Sequence, residues 1–424
     1  MKFNKWTVVL AGAGLVSLVS PAQAEEKASS VMTALASTTL SGYVDTSAHW
    51  NFGTGNTFVP PYKFNSPSKS DGFNLDVVQL RIEKPLDESE WAAGYRVDLW
   101  AGPDANVLGT QSVFSTGASD FAIRQAYAAL RVPVLNGLDL KFGVFDSIIG
   151  YESVESPNNP NYTRSYGHSI EPQTHTGILA SYRFSDMVSA SVGVADTVSS
   201  SINSRAQLGS KGVATNPLLT ALGITATTPS GSNPYAESYK AYMGSVAITA
   251  PESMGFLAGS TLYGGVVNGY NASVLGSGLG MPTLNAYVGS TVATPVTGLR
   301  LGAAWDLLNV NTTPNSGTLG GTKTEADVWS LAGYASFQAT EKLSLHGRFE
   351  YVSGDVDKPV NTGNGIFAAT ATAQYDLWKN VISRVEFRWD HVEHGRAFGG
   401  VDSVTGGPNR ENAFLLAANL IYKF

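Results

Sequence analysis

The stretch Phe414-Leu415-Leu416-Ala417-Ala418-Asn419-Leu420-Ile421-Tyr422-Lys423-Phe424 sets the reading of the whole chain. Counted back in twos, Phe424, Tyr422, Leu420, Ala418, Leu416 and Phe414 share one face, and none carries a charge. Lys423 and Asn419 stand on the other. Side chains alternate across a strand, so this segment has one apolar side and one partly polar side, with aromatic rings at both ends. That is the profile of a strand between lipid and a wet interior. A soluble sheet can also finish in an alternating strand, and the rest of the chain distinguishes the two.

Working outward from this segment, the same period of two recurs from Thr39 onward and divides into sixteen strands. The first sets Leu40, Val44, Ala48 and Trp50 against Tyr43, Asp45 and His49. The third sets Trp91, Tyr95, Val97 and Leu99 against Arg96, Asp98 and Trp100; the fifth sets Leu138, Leu140, Phe142 and Val144 against Asp139 and Lys141. The eleventh opposes Leu299, Leu301, Ala303, Trp305 and Leu307 to Arg300 and Asp306. The thirteenth opposes Leu343, Leu345, Phe349 and Tyr351 to His346, Arg348 and Glu350, and the fifteenth opposes Val381, Val385, Phe387 and Trp389 to Arg384, Glu386, Arg388 and Asp390. A ninth strand near Phe256–Asn268 is too rich in glycine to orient. The apolar faces omit charge throughout, and a Lys or Arg facing lipid at mid-bilayer costs about 2–4 kcal/mol. Connections such as Pro85–Glu90, Pro133–Gly137, Ser185–Met187 and Asp376–Asn380 are short turns, and longer polar segments lie between them. The expected fold is therefore all-β: a transmembrane antiparallel up-and-down barrel of about sixteen strands, which leaves no backbone edge unpaired in lipid.

Composition agrees with strands that meet lipid only at every second residue. Charged residues make up 14% of the chain, against roughly 25% in a typical soluble domain. No apolar run after the N-terminal segment is long enough for a transmembrane helix. The chain has no cysteine, which excludes a disulfide framework, a thiolate metal site and a cysteine nucleophile. Residues 1–24 read as an export signal: Lys2 and Lys5, the apolar run Trp6–Val19, then Ala22-Gln23-Ala24 as the cleavage site. Residues 25–38 are expected to be a short periplasmic leader and 39–424 the barrel. Loss of the two signal lysines takes the net charge from −7 to about −9. An acidic exported chain argues against nucleic acid as a partner. Asp196–Tyr235 reads as an external loop, Gly317–Thr324 lacks the Gly-Lys pair of a phosphate loop, and His391 and His394 read as surface residues. No nucleophile motif, metal site or cofactor site is expected.

The longest distinctive loop, residues 147–174, contains Gly150-Tyr151-Glu152-Ser153-Val154-Glu155-Ser156-Pro157-Asn158-Asn159-Pro160-Asn161-Tyr162-Thr163-Arg164 and then Glu171-Pro172. With Lys141-Phe142-Gly143-Val144-Phe145, Arg124-Gln125-Ala126-Tyr127 and Arg388-Trp389-Asp390, it resembles the OmpL-like β-barrel porin family of bacterial outer membranes. The resemblance runs through most of the chain after the signal. It implies a pore in the cell outer membrane, and it supplies no catalytic residues.

Sixteen strands about 4.8 Å apart and tilted about 40° close a cylinder of roughly 16 Å radius, wide enough for an aqueous channel. The aromatic-rich loop suits folding inward as a constriction, with Tyr151, Glu152, Glu155, Arg164 and Glu171 as its candidate residues. Arg96, Asp98, Lys141, Arg300, Arg348, Glu350, Arg384, Glu386 and Arg388 are the candidate pore-lining residues. A basic wall facing an acidic loop would set a transverse field that orients polar solutes. The alternative is that these charges simply pair across strands. Expected partners are outer-membrane lipid, small polar solutes and ions, and the barrel-assembly machinery, met through Phe414, Tyr422 and Phe424 of the closing strand. A homo-oligomer remains open. The rival readings are a plugged structural or surface-adhesion barrel and, further off, a barrel-embedded hydrolase.

Overall fold

A computed structural model describes residues 37–53, 55–110, 119–206, 239–271, 282–312, 324–356 and 365–424. The signal segment, most of the leader, most of Asp196–Tyr235 and nearly all of Gly317–Thr324 lie outside them. The strands are β1 (Thr39–Phe52), β2 (Gly72–Lys84), β3 (Ala92–Ala101), β4 (Phe121–Val132), β5 (Leu138–Asp146), β6 (Thr174–Arg183), β7 (Val188–Ala195) and β8 (Ala241–Thr249). They continue as β9 (Thr261–Tyr270), β10 (Pro282–Ala293), β11 (Leu299–Thr312), β12 (Thr324–Gln338), β13 (Leu343–Val356), β14 (Ile366–Trp378) and β15 (Val381–Val392). After a small hairpin, β16 (Phe398–Val401) and β17 (Pro408–Arg410), comes β18 (Asn412–Lys423). Each of β1 to β15 pairs antiparallel with its neighbour in sequence, and β18 pairs with both β15 and β1. The result is a closed barrel of sixteen strands. Its seam continues past β18, where Gly42 and Phe424 exchange N–H···O bonds of 3.0 Å in both directions.

Alternation places the side chains as the pleat requires. Phe414, Leu420, Tyr422 and Phe424 are exposed on the outer wall, while Leu415, Ala417, Asn419 and Ile421 are buried inside. Along the outer surface Val192, Val246, Leu331, Phe349 and Phe387 are likewise exposed. Trp50, Trp91 and Trp378 stand near strand ends, where a ring can bury its body and wet its polar edge.

The ninth strand departs from its expected bounds. Residues 252–257 form a tight 3-10 turn, so the connection after Pro251 runs to Ser260. Strand β9 then points Leu262 and Val266 outward and Tyr263 and Val267 inward. A bulge was also invisible in the period. Asp98 pairs with Gln125 and Leu99 with Ile123, which leaves Arg124 as the extra residue. Arg124 and Gln125 are consequently both buried on the inner side.

The interior holds more apolar surface than a polar lumen would suggest. Loop residues Phe64, Ile148, Ile149, Val154, Tyr62, Tyr166, Ile170 and Phe398 join three apolar clusters with inward residues of the wall, among them Tyr263, Val328, Val352 and Trp100. Burial of apolar area, at roughly 25 cal/mol per Å², thus helps to seat the loops inside the barrel.

Candidate functional site

The connection between β5 and β6, residues 147–173, turns inward. A five-residue helix, α2 (Tyr166–Ile170), starts within it because the Ser165 hydroxyl caps the His168 N–H, and all five residues are buried. (Helix α1 is Pro103–Leu108 in the connection from β3 to β4.) Gly150 adopts φ +122° with the Glu171 carboxylate packed against its Cα, a place no side chain could share.

The wall formed by β13 to β15 holds this loop mainly by its backbone. Arg348 donates to the Thr163 carbonyl (2.8 Å) and to the Glu152 carboxylate (2.9 Å). Arg384 donates to the carbonyls of Asn159 (2.6 Å) and Ser156 (3.2 Å), and Arg388 donates to that of Arg164 (2.8 Å). Glu386 accepts the N–H groups of Tyr162 (2.6 Å) and Thr163 (2.9 Å), and Glu350 accepts that of Tyr166 (2.6 Å). The Tyr166 hydroxyl donates to Asp390 at 2.7 Å. On the next arc of the wall, Arg81, Arg96 and Arg124 converge on Asp98 at 2.7–2.8 Å and on Glu155 of the loop. Elsewhere Asn285 of β10 donates to the Ile170 carbonyl (2.9 Å), and Glu171 hydrogen-bonds Asp306 of β11. The loop is therefore tied to walls on several sides of the lumen.

Its charged groups respond to this setting. Burial pushes the Glu155 carboxyl up, but the guanidinium groups of Arg124, Arg81 and Arg96 outweigh it and hold the group below the usual carboxylate range. Burial, with the Asp306 charge and hydrogen bond adding to it, raises Glu171 well above that range. Burial depresses the His168 imidazole far below its ordinary value, and the charge of Arg164 adds to this. A buried group keeps whichever protonation state its surroundings solvate best.

The sequence candidates fall into three groups. Arg348, Glu350, Arg384, Glu386 and Arg388 are each 2% exposed or less. The expectation that they line the pore as a charged wall open to solute is therefore corrected: the loop covers them, and their hydrogen bonds go to loop groups and to wall side chains such as Gln374, Thr372 and Asp390. Arg96, Asp98, Glu152, Glu155 and Arg164 meet in or beside the same paired network, and Tyr151 stacks on Tyr334 with ring centroids 4.1 Å apart. Lys141 and Arg300 stand apart. Lys141 lies 4.8 Å above the Tyr127 ring and lines a cavity of about 260 Å³ at the short-turn mouth with Glu83, Arg131 and Asp139. Arg300 is exposed on the inner face of β11. Sequence reasoning missed Arg81, Arg124, Asp306, Asn285 and Asp390 as loop contacts. Arg124 was hidden by the bulge, and the others carried no signal beyond an inward parity.

Among the described residues, no group of three or more His, Cys, Asp or Glu could hold a metal ion. A cavity of about 650 Å³ opens at the long-loop mouth, and one of about 20 Å³ lies between the loop and the wall near Tyr43, Trp100 and Tyr162.

A closed sixteen-stranded barrel with a charge-poor exterior and an inward-folded loop is the architecture of an outer-membrane channel. The family model described as "Putative beta-barrel porin-2, OmpL-like" matches residues 37–424, and the chain belongs to that family. It is an outer-membrane porin. No curated protein sequence matches it. Among solved structures it is similar to the outer-membrane channel DcaP of Acinetobacter baumannii (TM-score 0.55, 12% identity, covering 91% of this chain and 97% of that one). It is also similar to the anion-selective porin of Comamonas acidovorans (0.54, 12%, 92% and 99%) and to the trimer form of OmpT, an outer-membrane protein of Vibrio cholerae (0.53, 10%, 91% and 99%). At these identities the likeness shows the fold.

Proposed function

We propose that this porin is a passive, non-enzymatic pathway for small hydrophilic solutes and ions, with residues 147–173 as its constriction. The carrying observation is the inward loop between two mouth cavities, held by buried Arg and Glu side chains rather than left mobile. Charged residues at the short-turn mouth, Lys141 and Arg131 beside Glu83 and Asp139, give a passing solute mixed rather than single-sign surroundings. Outer-membrane lipid meets the exposed apolar belt, and the closing strand with Phe414, Tyr422 and Phe424 is the segment offered to the barrel-assembly machinery. A homo-oligomer is consistent with the trimer form described for OmpT. Residues 1–24 serve as the export signal.

A second reading is a barrel held closed. The cavity beside Tyr43, Trp100 and Tyr162, only about 20 Å³, favours it. Single-channel recording of the refolded chain in a planar bilayer separates the two. Discrete ohmic steps support the porin reading, and an inserted but silent barrel supports closure.

A further inference from the structure

The cavity of about 650 Å³ at the long-loop mouth is large enough for a small organic ligand. It lies between the β1–β2 connection and the β15–β18 connection. These two segments are locked together by a reciprocal pair of hydrogen bonds between Phe58 and Gly399, each 2.8 Å, so its walls are built before any ligand arrives. Gly55 packs directly on the Gly400 backbone, where a side chain would not fit.

The chemistry of the lining is specific. Five asparagines, Asn51, Asn56, Asn65, Asn409 and Asn412, line it. The formal charges cancel, with Arg396 and Arg410 against Asp390 and Glu411. One end of several amides is fixed by the protein: Asn51 Nδ2 donates to Ser70 (2.8 Å), Asn65 Nδ2 to the Pro60 carbonyl (2.7 Å), Asn409 Oδ1 accepts Gly400 N–H (3.0 Å), and Asn412 Oδ1 accepts from Trp389 (2.9 Å). Among the described residues, the carbonyl oxygens of Asn51 and Asn65 and the amide nitrogens of Asn409 and Asn412 take no protein hydrogen bond. Two fixed acceptors and two fixed donors remain, with the rings of Phe58 and Tyr62 beside them. An anion would need an excess of donors and a cation an excess of acceptors. A hydroxyl group, which donates and accepts, uses both.

We infer that this cavity binds a neutral saccharide. The inference rests on the porin reading only for its consequence, because the base of the cavity is tied to the constriction: the Arg388 guanidinium lies 4.1 Å above the Tyr62 ring, and Asp390 holds Tyr166. A sugar seated there stands directly above the loop.

The test is calorimetric titration of the folded protein, in phospholipid bilayers, with a neutral linear hexose trisaccharide and with an analogue carrying a terminal carboxylate. The neutral sugar binds at least tenfold more tightly. Asn65→Ala and Asn409→Ala each weaken it about three- to tenfold, the range expected for one lost hydrogen bond. Val404→Ala, on the same outer loop but away from the cavity, leaves binding unchanged. A parallel titration in bilayers containing lipopolysaccharide distinguishes a free sugar from a glycolipid headgroup: binding lost only there assigns the site to the headgroup. No binding by either source, or preference for the charged analogue, overturns the inference. Conductance recorded on the same preparation keeps the two claims separate. A conducting barrel without sugar binding refutes the site alone, and a silent barrel that binds sugar refutes the passage alone.

Discussion

Replacing Glu155 by Gln is the sharpest perturbation of the loop. Arg81, Arg96 and Arg124 face Asp98, Asp146 and Glu155, with Glu83 4.0 Å from Arg96 at the edge of the arc, and Gln removes one negative charge while keeping an acceptor in place. The positive charge that the change uncovers resides chiefly on Arg81 and Arg96, whose side chains are 17% and 15% exposed, since Arg124 is enclosed. For an ion passing at about 8 Å, one unit charge contributes about 0.5 kcal/mol in bulk water and about 2 kcal/mol at an effective dielectric near 20. The permeability of anions should therefore rise, and that of cations fall, by about 2- to 30-fold each. The assay is the reversal potential across a salt gradient, with refolding checked by gel mobility before and after heating. The shift should shrink as ionic strength rises, because the screening length falls to about 3 Å at 1 M salt. A folded, conducting variant with an unchanged reversal potential at low salt would refute the argument that Glu155 neutralises an arc facing the passage.

Three further outcomes follow from the same geometry. Glu171 takes its proton more readily in the folded loop than in free chain, so its stabilising contribution is complete below about pH 4.5 and is lost as pH rises through its raised folded value; current noise from the loop should grow with alkalinity in the wild type and not in Glu171→Gln. Leu331 is exposed at the middle of β12, so Leu331→Arg should lower barrel stability by about 2–4 kcal/mol in a urea titration in bilayers, whereas a cost near zero would place that face in water. Deleting Phe424 removes both hydrogen bonds that extend the seam at Gly42, and the fraction of heat-resistant folded barrel on a gel should fall.

The barrel was legible because lipid imposes a one-sided rule on every strand. Lys423 beside Tyr422, or Arg348 beside Phe349, already states which face is which. The bulge at Arg124 was not legible, since one extra residue leaves the composition unchanged and shifts only the parity. The apolar inward residues Val328, Val352 and Ile366 were hidden for a different reason: they contact loop residues distant in sequence, and period two says nothing about what fills a lumen. The same limit governs the charged wall. Parity pointed Arg348, Arg384 and Arg388 inward, but whether they meet water or a carbonyl depends on where the loop runs, and that follows from long-range packing. The hairpin β16–β17 was also unforeseen, its strands of four and three residues being too short to show an alternation.

The way the wall grips the loop has a consequence for how the protein can change. Arg384 and Arg388 end on carbonyl oxygens, and Glu386 accepts only main-chain N–H groups from the loop. Every residue except proline offers the same two groups, so this holder recognises the path of the chain and is indifferent to much of its spelling. Side chains such as Ser153, whose hydroxyl accepts the Glu155 N–H, and Asn158, which donates to the Glu155 carboxylate, shape the loop's own turn, but the bonds from Arg384 and Glu386 do not depend on them. The barrel thus offers a fixed frame in which those stretches of the loop that meet the wall only through their backbone can be rewritten, by selection or by design, with proline at 162, 163 or 166 as the forbidden letter.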